Sequence, residues 1–426
     1  MNQPAGRPPE GPAPASAVVI GTGLIGTSVA LALRARGVAV WLADADPASA
    51  RLAADIGAGE VLPGGLPPAE PEPRRPAAAR RGAAIGGSGG SPPLVDGGGG
   101  AGARRGAAIG GSPPRVSTDI AVLAVPPDAV AATLAAAQAR GLARWYTDVA
   151  SVKSQPLAQA AGLGCDLESF VPGHPLAGRE RSGPAAARAD LFLGRPWVVC
   201  HGDGISAAGV AAVAGLARAC GAEPVLAGPA EHDAWVALVS HAPHVVSAAM
   251  AARLTEAPAG ALAVAGQGLR DVTRIAAGDT RLWLQILAAN AAPAADVLAA
   301  AGADLIAVAE ELAEAARGGA GAGGPAPELK LLAALLEQGG AGVARLPGKR
   351  GGPARAETQV QVVIRDEPGE LARLFQAAGE AGVNIEDVGI EHSPGLPVGV
   401  AELTVRPDAV GPLTEALAAN GWPVRR

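Results

Sequence analysis

Three cysteines, three phenylalanines, two methionines and one tyrosine in 426 residues leave this chain short of several kinds of chemistry. Cys165, Cys200 and Cys220 have no close pairing, which excludes a disulfide frame or thiolate zinc site and suggests buried thiols in a reducing cytoplasm. Positive charge is also short. The 34 Lys and Arg against 40 Asp and Glu give a net charge of −6, which argues against nucleic acid as a partner. No apolar run reads as long and charge-free enough to span a bilayer, so no membrane partner is expected. The opening MNQPAGRPPEGPAPAS lacks a basic stretch followed by an apolar one, so residues 1–16 read as a disordered tail and not a signal peptide. Alanine and glycine are abundant, a mark of codon usage more than of function.

The pattern along the chain changes twice. Over 17–228 short apolar strands (Ala17 to Ile20, VAVWLAD, IAVLAVPP, RWYTD, PWVVC, EPVLA) alternate with helical periodicity, which predicts one α/β sheet. Within it, 63–117 is Gly-, Pro- and Arg-rich and carries ARRGAAIGGS twice, at 79–88 and 103–112. No strand or helix start frames either copy, so a duplicated low-complexity insertion is favoured over a phosphate loop. Over 229–317 the strand signal vanishes and an all-helical domain is predicted. Residues 318–356 read as a linker with a short helix. Residues 357–426 read strand–helix–strand–strand–helix–strand, the ferredoxin-like order.

GTGLIG follows the first strand and opens a helix. Gly21 permits the turn, Gly23 lets the backbone approach a pyrophosphate, and Gly26 lets helix and strand pack; Leu24 and Ile25 begin the helix whose N-terminus faces the anion. Asp44 ends the second strand, 23 residues after Gly21, where a carboxylate favours NAD over NADP. With Val125 and Asp148 at later strand ends, these residues make a Rossmann-type cofactor site. A glycine turn without a ligand is the blander alternative.

Polar chemistry concentrates in four further stretches: DVASVK at Asp148 to Lys153, GHPLAGRERSG from Gly173, SHAPH at Ser240 to His244, and GLRDVTR at Gly268 to Arg274. Each alone has an ordinary explanation, such as a surface histidine, a helix cap or a solvated arginine face. His241 and His244 lack a carboxylate or thiolate at ligand spacing, so metal is given little weight. Together, a hydride acceptor, a neutral-pH base and guanidiniums suited to carboxylates describe the oxidation of an acidic alcohol.

The motifs GTGLIGTSVA, DVASVKS, GHPLAGRERSG, SHAPH and GLRDVTRIAAGDTRLW, in this order, resemble the prephenate/arogenate dehydrogenases of tyrosine biosynthesis, and RDEPGELARLF…AGVNIEDVGIEH resembles an ACT domain. The resemblance implies that His174 accepts a hydrogen bond or proton from the substrate's ring hydroxyl as hydride leaves for NAD, and that Ser151 bonds both. It implies that Arg274 binds a substrate carboxylate, that His244 and Trp283 line the pocket, and that Glu180, Arg270 and Asp271 shape it. Arg179-Glu180-Arg181 departs from the family's usual pattern at the pocket mouth. The implied function is oxidative decarboxylation of prephenate; arogenate dehydrogenase or a dual-specificity cyclohexadienyl dehydrogenase is the alternative. L-Tyrosine or L-phenylalanine would act at Asp366, Pro368, Gly369, Asn384 and Ile385, and the helical region would form a homodimer. A catalytically inactive NAD-binding amino-acid sensor predicts loss of His174, Ser151 or Arg274, and all three are present. A β-hydroxyacid dehydrogenase would want a catalytic lysine in the helical region, where none is evident.

Overall fold

Ala17 and Val19 point to one face of the first strand and Val18 and Ile20 to the other, and all four are buried, as in a sheet covered on both faces. The structure is a computed structural model that describes residues 8–65, 117–178, 183–318, 328–347, 356–392 and 397–425. β1 (Ser16–Ile20), β2 (Ala39–Ala43), β3 (Glu60–Val61), β4 (Thr118–Leu123) and β5 (Ala143–Asp148) form a parallel sheet in the order β3-β2-β1-β4-β5. Between them run α1 (Leu24–Arg34), α2 (Pro47–Asp55) and α3 (Val130–Ala139), and α4 (Ser154–Gly162) follows β5. Val29 and Leu33 of α1 close one face, and Leu134 of α3 with Ala160 of α4 the other. This is the expected Rossmann-type sheet, whose strand order reverses between β1 and β4 and so opens a ligand crevice at their carboxyl ends.

The last three strands of this region leave that sheet. β6 (Gly173–Pro175), β7 (Pro196–Cys200) and β8 (Glu223–Ala227) form a second one, with β6 antiparallel to β7 and α5 (Ala207–Ala219) between β7 and β8. The segment before β6 explains the break. It covers the edge of β5, where Tyr146 N donates to Ser169 O at 2.9 Å and Val171 N to Tyr146 O at 2.8 Å, and then turns to pair with β7. His174 therefore stands on a segment bonded to both sheets.

The expected disordered tail is corrected from Pro8 onward; residues 1–7 lie outside the described residues. Arg218 donates to Pro9 O at 3.0 Å and to Pro8 O at 3.2 Å. A Cβ at Gly215 would lie 2.2 Å from Pro12 O, so glycine there is what lets the segment rest on α5. The 63–117 insertion lies outside the described residues except at its ends.

α6 (Pro229–Val236) and α7 (Ala242–Ala252) are joined by a π-helical turn, Ala237–His241. α8 (Ala259–Ala263), α9 (Gln267–Thr273), α10 (Thr280–Ala289), α11 (Ala291–Gly318) and α12 (Lys330–Val343) follow. The chain divides into two compact units, Met1–Ala251 with Ile275–Val297 and Ala252–Arg274 with Leu298–Arg426, so the helical stretch 229–317 is shared between them. Two helical stretches, Pro229–Ala252 and Ala291–Arg317, are long and apolar enough to cross a bilayer, which corrects the expectation that no such run exists. The first carries buried His232, Asp233, His241 and His244, groups that are costly in hydrocarbon. The second is alanine-rich, with almost none of its residues buried.

In the second unit, β9 (Thr358–Arg365), α13 (Glu370–Glu380), β10 (Asp387–His392), β11 (Val398–Val405), α14 (Val410–Ala419) and β12 (Val424–Arg425) build an antiparallel sheet in the order β10-β11-β9-β12. Leu374 of α13 and Leu413 and Leu417 of α14 pack on Val360, Val362, Ala401 and Leu403. Pro368 lies just before α13, which Gly369 caps in the left-handed region at φ 91°. Asn384 and Ile385 precede β10.

Candidate active site

The glycine loop closes on itself at two positions and opens at one. A Cβ at Gly21 would lie 2.1 Å from Ala124 O and one at Gly26 1.9 Å from Gly21 O, so both must be glycine for β1, β4 and α1 to meet. Nothing lies within 4 Å of the Cβ position at Gly23, which caps α1 without a side-chain acceptor. An open backbone at an uncapped helix N-terminus fits a pyrophosphate. Val125 lies at the neighbouring strand end, its side chain 3.3 Å from the Cβ position of Gly21. Asp44, just past β2, accepts from Thr22 N at 2.5 Å and Thr22 Oγ1 at 2.8 Å through Oδ2, and from Asp46 N at 2.9 Å through Oδ1. Oδ1 keeps a lone pair for a ribose hydroxyl. The residues fit a dinucleotide with an unphosphorylated ribose.

Four of the six histidines gather beside this crevice. His174, half-buried on β6, places Nδ1 2.9 Å from Nε2 of His232 on α6. His232 Nδ1 lies 2.9 Å from Asp233 Oδ1, and Asp233 also accepts from Lys153 N and Ser154 N, both at 2.8 Å. Asn290 uses its amide to donate to Asp233 O at 2.8 Å and to His241 Nδ1 at 3.0 Å. Trp283 of α10 stacks on His244 at 3.6 Å between ring centres and meets His241 edge-on at 6.1 Å. The π-helical turn ends at His241, and such wide turns are frequent at functional sites.

Burial dominates the protonation of this group. It pushes His174 well below the usual imidazole range, with His232, Lys153 and His241 acting in the same sense, which corrects the expectation of a base titrating near neutrality. Burial also takes His241 down to about 4, against the pull of Asp233. His244 is lowered by burial alone.

Asp148, expected on the cofactor, is enclosed instead. Its carboxylate pairs with Lys153 Nζ and accepts from Ala150 N and Gly173 N, both at 3.2 Å. Lys153 Nζ also donates to Gly173 O at 2.6 Å, and both side chains are buried. The pair is a strut between the end of β5 and the start of β6. Ser151, half-buried beside it, makes no hydrogen bond among the described residues. Arg270, Asp271 and Arg274 belong to the second unit, where Asp271 accepts from Gln267 at 2.8 Å. Glu180 lies outside the described residues, as do Arg179 and Arg181. His232 and Asp233 were missed in the sequence. The signal available was Glu231-His232-Asp233, three consecutive polar residues opening an otherwise apolar helix.

A family model for the nucleotide-binding domain of prephenate dehydrogenase matches residues 113–226, and one for the dimerization domain of prephenate dehydrogenase matches 228–318. A curated Streptomyces niveus protein, "Probable prephenate dehydrogenase NovF", is 36% identical over 410 residues, 96% of this chain and 99% of its own. Among solved structures, prephenate dehydrogenase from A. aeolicus, in complex with hydroxyphenyl propionate and NAD+, has a TM-score of 0.56 at 20% identity, over 77% of this chain and 96% of that one. Synechocystis arogenate dehydrogenase has a TM-score of 0.53 at 20% identity, over 78% of this chain and 100% of that one. At such identities the two structures share the fold.

Proposed function

The chain belongs to the prephenate dehydrogenase family, NAD-dependent oxidoreductases, and on that premise we propose that it oxidatively decarboxylates prephenate to 4-hydroxyphenylpyruvate and CO2, with formation of NADH, in cytoplasmic L-tyrosine biosynthesis. The observation that carries this reading is His174, held on β6 next to Gly173, which is bonded to Asp148 and Lys153 on either side of Ser151 at the end of β5. When bound, NAD supplies the hydride acceptor. The open backbone at Gly23 and the N-terminus of α1 would hold its pyrophosphate, and Asp44 its ribose.

The chain's own task is to manage a proton and two carboxylates. As the ring carbon is oxidised, its hydroxyl becomes strongly acidic, so a weakly basic imidazole suffices to accept its hydrogen bond and then its proton. A lowered pKa also keeps His174 unprotonated and ready throughout the physiological range. Ser151, without a hydrogen bond among the described residues, supplies a second hydrogen bond at the hydroxyl. By the family resemblance, Arg274 is the residue for a substrate carboxylate, and Arg270, Asp271 and Glu180 are those assigned to shaping the site. Loss of CO2 aromatises the ring and makes the reaction effectively irreversible. The stacked His244–Trp283 pair meets the substrate side chain; a Cβ at Gly278 would lie 2.5 Å from Trp283 Nε1 and 3.0 Å from His244 Cε1, so glycine there allows the stack.

The helical region pairs two copies of the chain. The C-terminal sheet is an ACT domain that takes L-tyrosine or L-phenylalanine at Asp366, Pro368, Gly369, Asn384 and Ile385. Support comes from Gly369, whose positive φ and open face admit a ligand against the backbone. Initial rates with prephenate and with arogenate, each with NAD and NADP, test the reading. The expected result is turnover of prephenate with NAD. Preference for arogenate would favour the amino side chain instead, and no turnover of either would remove the reaction.

A further inference from the structure

His174 has partners that the reaction alone does not require. The proton positions along them follow from the far end. Asp233 accepts from His232 Nδ1, Lys153 N and Ser154 N. Burial works to raise its pKa, but these donors together hold it below the usual carboxylate value, so it is ionised. A carboxylate can only accept, so His232 Nδ1 carries a hydrogen. Burial, outweighing the bond to Asp233, keeps the His232 ring neutral, so its Nε2 is a bare acceptor. The hydrogen in the 2.9 Å contact between the two rings therefore belongs to Nδ1 of His174. Only Nε2 of His174 retains a lone pair.

Taking His174 as the base of the proposed reaction, we propose that His232, oriented by Asp233, is a positioning residue that holds His174 in the Nδ1-protonated tautomer and leaves Nε2 for the substrate hydroxyl. The opposite tautomer would present an N–H where an acceptor is needed. When Nε2 takes the proton, the His174 imidazolium keeps its Nδ1–H on His232, and the ordered ring passes the polarisation to the Asp233 carboxylate. No proton needs to travel along the chain of rings. The arrangement is built from two elements, β6 and α6, whose contact residues lie 58 positions apart, so neither ring can turn without breaking a bond between them.

The test uses the full-length protein and three variants. His232→Leu removes the acceptor. His232→Gln puts an amide oxygen near the position of Nε2 and restores it without a titratable ring. His174→Asn removes the base. Expected for His232→Leu is a kcat lowered about ten- to a thousand-fold, below the roughly 10⁴-fold loss when a catalytic histidine is forced into the wrong tautomer. The KM for NAD should stay unchanged and His232→Gln should recover most of the rate. Equal losses in the Leu and Gln variants, or near-wild-type turnover in His232→Leu, would overturn the proposal. Near-wild-type turnover in His174→Asn would strike the base itself and the proposal with it. Independently of any variant at 232, ¹⁵N spectra of the wild-type histidines report the tautomer, with the His174 signals identified by their loss in His174→Asn. A protonated Nδ1 and bare Nε2 are expected, and the reverse would refute the assignment.

Discussion

Lys153, fully buried, reaches Asp148 five residues back and Gly173 twenty residues on; Asn384, at the surface, reaches Glu386, two residues away. The same contrast runs through the two regions to which these residues belong. At the candidate active site several polar groups are fixed by a group from another element: His174 by His232, Asp233 by Lys153 N and Ser154 N at the start of α4, His241 by Asn290. Around the proposed effector turn the side-chain partners are mostly local, as in Arg373 on Glu370 within one turn of helix; Trp422 on Glu370, and the backbone bond from Asp366 N to Pro397 O at 3.1 Å, are long-range exceptions. Partners distant in sequence set a geometry that the fold enforces, as a reaction needs. Local partners leave a surface able to rearrange around a ligand.

Substitutions should separate the two regions. Lys153→Met leaves the Asp148 carboxylate buried without its partner, and a loss of about 3–5 kcal/mol of stability is expected in urea unfolding. The matching change at the turn, Asn384→Ala, should move stability by no more than about 0.5 kcal/mol. Comparable effects at both positions would erase the contrast. His174→Asn should keep the fold and NAD affinity while kcat falls about 10²–10⁴-fold in stopped-flow assays.

A finer comparison is available through pH. The folded His241 titrates at about 4 against an ordinary 6.5, so the unfolded chain binds its proton first. The stabilisation from keeping this ring neutral is complete above pH 6.5 and is lost as pH falls toward about 4. His241→Gln should flatten the melting temperature across that window, and an unchanged slope would place the acid sensitivity elsewhere. The smallest effect belongs to the C-terminal sheet. Deleting 357–426 should leave a basal rate close to that of the full chain and abolish any response to L-tyrosine or L-phenylalanine. Calorimetry showing no heat with either amino acid would make the sheet purely structural.

Legibility in the sequence follows the same division by distance. GTGLIG, its strand and Asp44 could be read because a glycine turn, a helix start and a strand-end carboxylate are local patterns. The geometry agrees: Gly21 and Gly26 have no room for a Cβ and Gly23 has open space. His174 was legible by its glycine-rich setting. Its partner was not, because nothing at position 232 encodes a contact made by chain folding. The place of Asp148 at a strand end points to the cofactor, and only the inward turn of Lys153 shows that it is held in a buried pair. The packed residues from Pro8 onward were hidden too, since a proline-rich stretch with little periodicity reads as disordered until Gly215 is seen to make room for it. The π-helical turn at Ala237–His241 has no compositional signature.

The segment that carries His174 lies between Tyr146 on one side and β7 on the other, with Val171 N on Tyr146 O and Cys200 N on Pro172 O, each at 2.8 Å. Those amides cannot exchange with solvent unless one of two sheets gives way. In hydrogen-exchange terms they belong with the slowest protons of the unit and not with its loops. Whatever opening admits substrate and releases product must therefore happen around the histidine, while the histidine itself keeps still.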